Sequence, residues 1–391
     1  MTEVTVTDAT SASAKPATRP ARPYFSSGPC AKPPGWDASK LAVDSLGRSH
    51  RSKLGKTRLQ YCIELMREML ALPDTHRIGI VPGSDTGAFE MAMWTMLGAR
   101  GVTCLAWESF GEGWVTDAVK QLKLEPKVHR ADYGQLPDLD QVDWSDDVLF
   151  TWNGTTSGVR VPDGEWIPAD REGLSFADAT SAVFAYDLPW DKIDVATFSW
   201  QKVLGGEGGH GVLILGPRAV ERLQEYTPAW PLPKVFRLVS KGALAEGVFK
   251  GETINTPSML AVEDAIFALE WAKSLGGLHG LIARSDANAA ALDKIVAERD
   301  WLGHLAVDHG IRSRTSVCLT VAGADEALIK KMAGLLEAEG AALDVAGYRD
   351  APPGLRIWCG ATVEKSDLEA LLPWLDWAYG EIEREFGKAA A

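Results

Sequence analysis

Cysteine is scarce in this chain: five residues in 391, at Cys30, Cys62, Cys104, Cys318 and Cys359, widely spaced and with no CxxC pair. An odd, dispersed set argues against a disulfide framework and against a zinc site, and fits a reducing, cytoplasmic compartment. No apolar run reaches the roughly 18 residues of a membrane span. The first 22 residues, MTEVTVTDATSASAKPATRPAR, contain no hydrophobic segment, which argues against a secretory signal, and Glu3 and Asp8 argue against a transit peptide. This Ala-, Thr- and Ser-rich stretch reads as a disordered tail. Positive charge is also in deficit, with 40 Lys and Arg against 53 Asp and Glu, a net charge of −13. Such a surface repels nucleic acid and anionic membranes and leaves small molecules as the natural partners. A few arginines gathered in a cleft can still reverse the field locally.

What is present is enough chain for two domains, because single cores stop growing near roughly 250–300 residues. From about residue 54 to 217, short apolar runs alternate with amphipathic stretches. The runs at 77–81, 102–107, 147–152, 174–177, 195–199 and 211–215 predict strands, and 54–72, 86–97 and 112–122 predict helices. That alternation implies an α/β domain with a mostly parallel sheet and helices on both faces. After Thr256 a long helical region begins, with Pro257 suited to its first turn. The rhythm then changes to a strand at 315–321, a helix at 325–339, strands near 342–345 and 355–359, and a helix at 365–386. The expected division is a tail over 1–22, a large domain over 23–278 and a smaller α+β domain over 279–391.

The sharpest local signal is Ser199-Trp200-Gln201-Lys202 followed by Val-Leu-Gly-Gly. A lysine at the end of an apolar strand, ahead of glycines, is badly placed for a solubility charge. An amine with a depressed pKa in an apolar pocket is what Schiff-base chemistry needs. Asp178 ends another apolar run and stands beside small residues, a pattern that also suits a simple helix cap. Paired with Lys202 it has a specific use, since a carboxylate on a pyridine nitrogen keeps that ring an electron acceptor. Pro82-Gly83-Ser84-Asp85-Thr86-Gly87 lies between a strand and a helix, where backbone N–H groups can hold a phosphate, although it is also a plain turn. Phe110, at the next strand-to-helix turn, is either a core residue or a platform for a flat ring.

Taken together and in order, these residues resemble the phosphoserine aminotransferases, class V members of the fold type I pyridoxal-phosphate enzymes. The likeness runs through Phe25-Ser26-Ser27-Gly28-Pro29, Ser49-His50-Arg51, Asn153-Gly154-Thr155, Asp178, Gln201-Lys202, Asn255-Thr256-Pro257, Arg349 and Arg356. It implies a large domain with a mostly parallel sheet flanked by helices, a smaller C-terminal domain, and pyridoxal 5'-phosphate as cofactor. By the same resemblance Lys202 forms the Schiff base and shuttles a proton, and Asp178 holds the pyridine nitrogen. Thr155 bonds the ring's phenolic oxygen, and Phe110 stacks on its face. Asp85 and Thr86 backbone groups, with the Gln201 side chain, hold the phosphate. Asn255 and Thr256 resemble a pair that reaches the phosphate of the neighbouring subunit, which implies an obligatory homodimer. Arg356 matches the clamp on the substrate α-carboxylate, and His50, Arg51 and Arg349 match the group that receives a phosphate or a side-chain carboxylate.

The implied reaction moves the amino group of glutamate to 3-phosphohydroxypyruvate, giving O-phosphoserine and 2-oxoglutarate. A second phosphorylated 2-oxo acid, 3-hydroxy-2-oxo-4-phosphobutanoate of pyridoxine synthesis, is a further expected substrate. Two positions depart from the family pattern. Asp85-Thr86 stands where many members have Gly-Arg, and Tyr348-Arg349 where His-Arg is common. An acid beside a phosphate is unfavourable unless its side chain turns away, for instance to cap the helix. The competing readings are a class V aminotransferase for a small keto acid such as glyoxylate or pyruvate, and a non-catalytic binding protein on the same scaffold.

Overall fold

Residues 14–389 are described by the computed structural model. The larger sheet is made of β1 (Arg77–Pro82), β2 (Val102–Ala106), β3 (Lys127–Arg130), β4 (Asp147–Thr151), β5 (Ser175–Asp178), β6 (Val195–Ser199) and β7 (His210–Leu215). Strands β2, β4, β5, β6 and β7 are buried from end to end. That burial explains why they read as continuous apolar runs rather than as alternating ones. Their order across the sheet is β1-β7-β6-β5-β4-β2-β3. All neighbours are parallel except β7, which runs antiparallel to both β1 and β6.

Helices cover both faces. On one side lie α2 (Ser84–Met96), α3 (Ser109–Thr116) and α4 (Pro217–Glu225), with Phe89, Met93, Val115 and Leu223 packed on the strands. On the other lie α1 (Lys53–Met69) and α5 (Met259–Ser274), which pack on each other. Helix α1 buries Leu59, Cys62, Ile63, Met66 and Met69, a three-and-four spacing that makes one apolar stripe. Ser52 caps α1 by accepting from the Gly55 amide. Helix α5 begins two residues later than Pro257 suggests, because Ser258 takes the cap position and accepts from the Ala261 amide. Helix α3 starts at Ser109, earlier than expected. The Glu108 side chain caps it by accepting from the Phe110 and Gly111 amides.

The smaller C-terminal part carries α6 (Leu278–Ala297), β8 (Leu302–His304), β9 (Ser316–Val321), α7 (Glu326–Ala338), β10 (Leu355–Trp358) and α8 (Lys365–Ala389). Its three strands are antiparallel in the order β8-β9-β10, and α8 packs on both α6 and α7. The expected strand near 342–345 is reduced to isolated bridges, Leu343 with Tyr24 and Ala346 with Leu355. Asp344 adopts a left-handed backbone with φ of 57°, which interrupts the extended run.

Of the tail expected over 1–22, residues 1–13 lie outside the described residues. The remainder is not loose. Lys15 and Arg19 pair with Glu339, the Ala21 amide donates to Asp367 at 2.7 Å, and Trp374 Nε1 donates to the Thr18 carbonyl at 2.7 Å. The polar composition concealed these anchors, all of which lie more than 300 residues away in the chain. Residues 23–25 continue across the small sheet, where the Phe25 carbonyl accepts from the Trp358 amide at 3.0 Å.

The end of the sheet away from the strand-tip loops is held by charge. Asp194 accepts from Arg171 Nη2 at 2.9 Å, Arg218 Nη1 at 3.0 Å and the Ser175 amide at 2.9 Å, with Arg171 and Asp194 both buried. Removing one member of a buried pair leaves the other charged and dry, at a cost of about 3–5 kcal/mol. Asp194→Ala is expected to lower the unfolding free energy by that amount in urea denaturation. A loss below about 1 kcal/mol would show that water takes over the role of the carboxylate.

Candidate active site

The carboxyl ends of β1, β2, β4, β5 and β6 meet the amino end of β7 along one edge of the sheet. The register sets this: Pro82 faces His210, Thr151 faces Asp178, and Asp178 faces Thr197. Ligands of open α/β sheets bind at this edge. Asp178 is the last residue of β5, and Lys202 follows the end of its neighbour β6 by three positions. Two side chains separated by 24 positions in the chain are thereby brought to one cleft.

Lys202 is 9% exposed, and its Nζ donates to the Ser27 carbonyl. Burial lowers its pKa from the ordinary lysine value. Arg356 acts in the same direction, and the Asp178 and Glu108 carboxylates oppose it. The chain passes very close here: a Cβ on Gly28 would stand 2.3 Å from Nζ, so only glycine leaves room for the amine. Asp178 is buried and accepts two N–H donors, Trp114 Nε1 at 3.1 Å and the Thr180 amide at 3.1 Å. Trp114 lies one helical turn beyond Phe110 on α3, so the two rings share a face. Sequence reasoning passed over Trp114, although its i,i+4 spacing from Phe110 was there to be read.

The turn after β1 forms a cup of N–H groups. The Gly83 and Ser84 amides both donate to the Gly209 carbonyl, at 3.1 and 3.2 Å, and the Gly87 amide closes on Gly83. The first amides of a helix have no partner within it, which leaves those of Asp85 and Thr86 to face outward. Gln201 Nε2 donates to Ser84 Oγ at 3.2 Å, and Gln201 Oε1 is buried without a partner. His210, also passed over, lines a cavity of about 600 Å³ together with Gly208, Gly209, Asn255 and Thr256. Its Nε2 accepts from the Ser258 amide at 3.1 Å, and burial lowers its pKa. The neutral ring then carries its proton on Nδ1, a buried donor with no acceptor among the described residues. Asn255 and Thr256 are exposed on the rim of this cavity.

Asp85 turns its side chain inward, but not to cap the helix: α2 has Gly83 at its cap position and no side-chain cap bond. The carboxyl is buried against Asp178, Thr180 and Thr197. Thr155 is buried, donates to Ser181 Oγ at 2.9 Å, and has its carbonyl held by Ser316 Oγ at 2.6 Å. Phe110 is 38% exposed on the cleft, with its ring 5.8 Å from that of Tyr348. Below it Glu108 is buried and accepts from Thr156 Oγ1 at 2.6 Å. Burial raises its pKa, and the hydrogen bonds from Thr156 and Gly111 hold it down.

The four residues expected to receive the substrate do not assemble within one chain. Arg356 points at Lys202 and Cys30, and its buried Nε has no partner. The Tyr348 ring lies between two guanidinium groups, 5.6 Å from that of Arg356 and 5.5 Å from that of Arg349. Tyr348 thus serves the arginines with its ring. Arg349 has a side chain 81% exposed, with Asp350 3.5 Å away. His50 and Arg51 lie apart from these, in a small hollow with Lys56, Gly251, Glu252 and Thr253, and among the described residues no contact joins the two groups. Their place follows from a tight turn on the start of α1, where Gly55 packs against the His50 backbone with no room for a Cβ.

No family model matches the chain. It is 58% identical over 370 residues to the phosphoserine aminotransferase of Methanosarcina barkeri, covering 94% of this chain and all of that protein. The phosphoserine aminotransferase of Methanosarcina mazei matches with the same identity and coverage. Among solved structures, a phosphoserine aminotransferase of Cytophaga hutchinsonii superposes with a TM-score of 0.79 at 20% identity, covering 90% of this chain and 98% of the other. That last likeness concerns the fold, and it agrees with the fold class read from the sequence. Identity of 58% along the full length of the two Methanosarcina proteins places this chain in the phosphoserine aminotransferase family.

Proposed function

We propose that this chain is a pyridoxal-phosphate-dependent aminotransferase that passes the amino group of glutamate to 3-phosphohydroxypyruvate, yielding O-phosphoserine and 2-oxoglutarate. The observation that carries the reading is the buried Lys202 amine opening onto the same cleft as Asp178, in a chain of this family. The free donors of the cleft fit such a cofactor: the outward amides of Asp85 and Thr86 and the His210 Nδ1 proton suit a phosphate, and the Gln201 amide group beside Ser84 can turn its Nε2 toward it. Pyridoxal phosphate supplies an electron sink for the bonds at the amino acid Cα.

The protein supplies position and proton control. Lys202, its charged form disfavoured by burial, offers a free amine for covalent attachment and takes and returns the Cα proton. Asp178, fixed by Trp114 and Thr180, presents an anion to the pyridine nitrogen. Thr155 would hold the phenolic oxygen by turning its hydroxyl proton from Ser181 toward it, and Phe110 would cover the ring face. Arg356, with its free Nε, clamps the α-carboxylate. Arg349 reads the far anionic group, the phosphate of one substrate and the side-chain carboxylate of the other. His50, Arg51, Asn255 and Thr256 complete a neighbouring site across a homodimer, which accounts for their distance from Arg356 within one chain. The pyridoxine-pathway substrate, 3-hydroxy-2-oxo-4-phosphobutanoate, presents the same terminal phosphate and falls within this specificity. The compartment we infer is the cytoplasm. Among the described residues no helix is long and apolar enough to cross a membrane.

Lys202→Ala is expected to reduce glutamate-dependent phosphoserine formation by at least about a thousandfold, and the purified variant should lose the yellow colour of the loaded protein. Failure of the unaltered protein to form phosphoserine from glutamate and 3-phosphohydroxypyruvate would overturn the substrate assignment. Arg349→Ala separates this reading from a small-keto-acid aminotransferase. A phosphate reader should lose about thirtyfold or more in kcat/KM for the phosphorylated acid, the equivalent of one charge-assisted contact. An enzyme for glyoxylate or pyruvate would change by less than about threefold.

A further inference from the structure

The acid at position 85 has no part in the chemistry above, yet it is buried at the centre of the site. Its carboxyl lies against Asp178, Thr180 and Thr197. Asp85 Oδ1 is buried with no hydrogen-bond partner, as are Thr180 Oγ1 and Thr197 Oγ1 beside it. Two carboxylates in contact and away from water cannot both keep a full charge, so one proton is shared between them. The surroundings decide which one holds it. Asp178 receives two N–H donors, Trp114 Nε1 and the Thr180 amide, each of which favours an anion. Asp85 has the Thr197 and Thr180 hydroxyls beside it, which favour its anion but less than burial and Asp178 disfavour it. It lies in the first turn of α2, where the helix dipole favours negative charge, but that effect is small against burial beside another acid.

We propose that Asp85 is a positioning residue which stands as an un-ionised carboxylic acid and donates its proton in a hydrogen bond to Asp178, so that the pair carries one negative charge instead of two. The inference rests on the reading of Asp178 as the partner of the pyridine nitrogen. A third donor on Asp178 fixes the plane of its carboxylate and spreads its charge, which weakens its hold on the proton of that nitrogen. The charged groups facing the pair are Lys202 and Glu108, both within electrostatic reach of Asp178. Asp85 itself faces no cation: its pKa is raised well above the ordinary carboxylate value, first by burial and then by Asp178.

Infrared spectroscopy of the full-length protein at pH 7 tests the protonation directly. A carbonyl band of a buried carboxylic acid should be present in the unaltered protein and absent from Asp85→Asn. If Asp85→Asn fails to fold, Asp85→Ser provides the same control. A spectrum that lacks the band, or keeps it in both variants, overturns the inference. Thermal unfolding gives a second reading, with a defined sign. Below about pH 4, the value of a free carboxylate, position 85 is protonated in both folded and unfolded chains. As pH rises above that, the unfolded chain releases the proton and the folded chain retains it, so the unaltered protein loses stability relative to Asp85→Asn. The gap in Tm between the two should widen with pH by about 3 °C or more, and a constant gap counts against the pair. In the cofactor-loaded protein, Asp85→Ala should shift the pH at which the visible absorbance changes, and Asp85→Asn, which still donates to Asp178, should shift it less. Equal shifts would refute the hydrogen bond. The infrared band reports the pair whether or not the chain aminates 3-phosphohydroxypyruvate, so its absence would leave the proposed reaction standing.

Discussion

Everything at this site depends on a lysine amine kept away from water at the tip of one strand, with a carboxylate at the tip of the strand beside it. Parallel pairing of β5 and β6 brings both tips to the same edge, and full burial of the two strands fixes their register. A one-residue slip would turn every apolar side chain of β6 to the wrong face. Packing of the sheet core and placement of the reactive pair are therefore one constraint. Around that pair the protein arranges polar atoms that its own chain does not satisfy: Gln201 Oε1, His210 Nδ1 and Arg356 Nε. A folded chain rarely leaves such atoms buried without partners. Two of them, His210 Nδ1 and Arg356 Nε, are donors, which an anionic ligand would satisfy.

Much of this was legible in the sequence because the strands are buried on both faces and so stand out as apolar runs. The six runs expected in the large domain all became strands, and Lys202 and Asp178 reached one cleft. The edge strand β3 was not read, since Lys127 and Arg130 give it no apolar signature. Helix starts were misplaced where the cap residue was not the one the local pattern suggested, Ser258 for α5 and Glu108 for α3. Glu108 is a poor cap by statistics, but it is paired with Thr156 and buried, so tertiary contacts overrode local preference. The anchoring of residues 15–22 was illegible for a similar reason, because its partners, Glu339, Asp367 and Trp374, lie in the opposite terminal region of the chain.

The site residues divide along the same line. Positions on strand ends, namely Asp178, Arg356 and the turn after β1, sit where the pattern indicates. Positions on loops do not converge in a single chain, as His50 and Arg51 illustrate. The two departures from the family pattern also find physical reasons. Asp85 turns its carboxyl inward, beside Asp178 and away from the turn's amides. Tyr348 offers its aromatic ring to two arginines, Arg349 and Arg356.

One connection ties the two parts of the molecule together mechanically. The strap over residues 25–27 is fastened at Phe25 to β10 of the small domain, and two residues later its Ser27 carbonyl grips the Lys202 amine. Any shift of β10 against the larger sheet would tug on that carbonyl. The Lys202 nitrogen is thus tied through a short stretch of chain to the strand that carries Arg356, and a displacement of one is felt by the other.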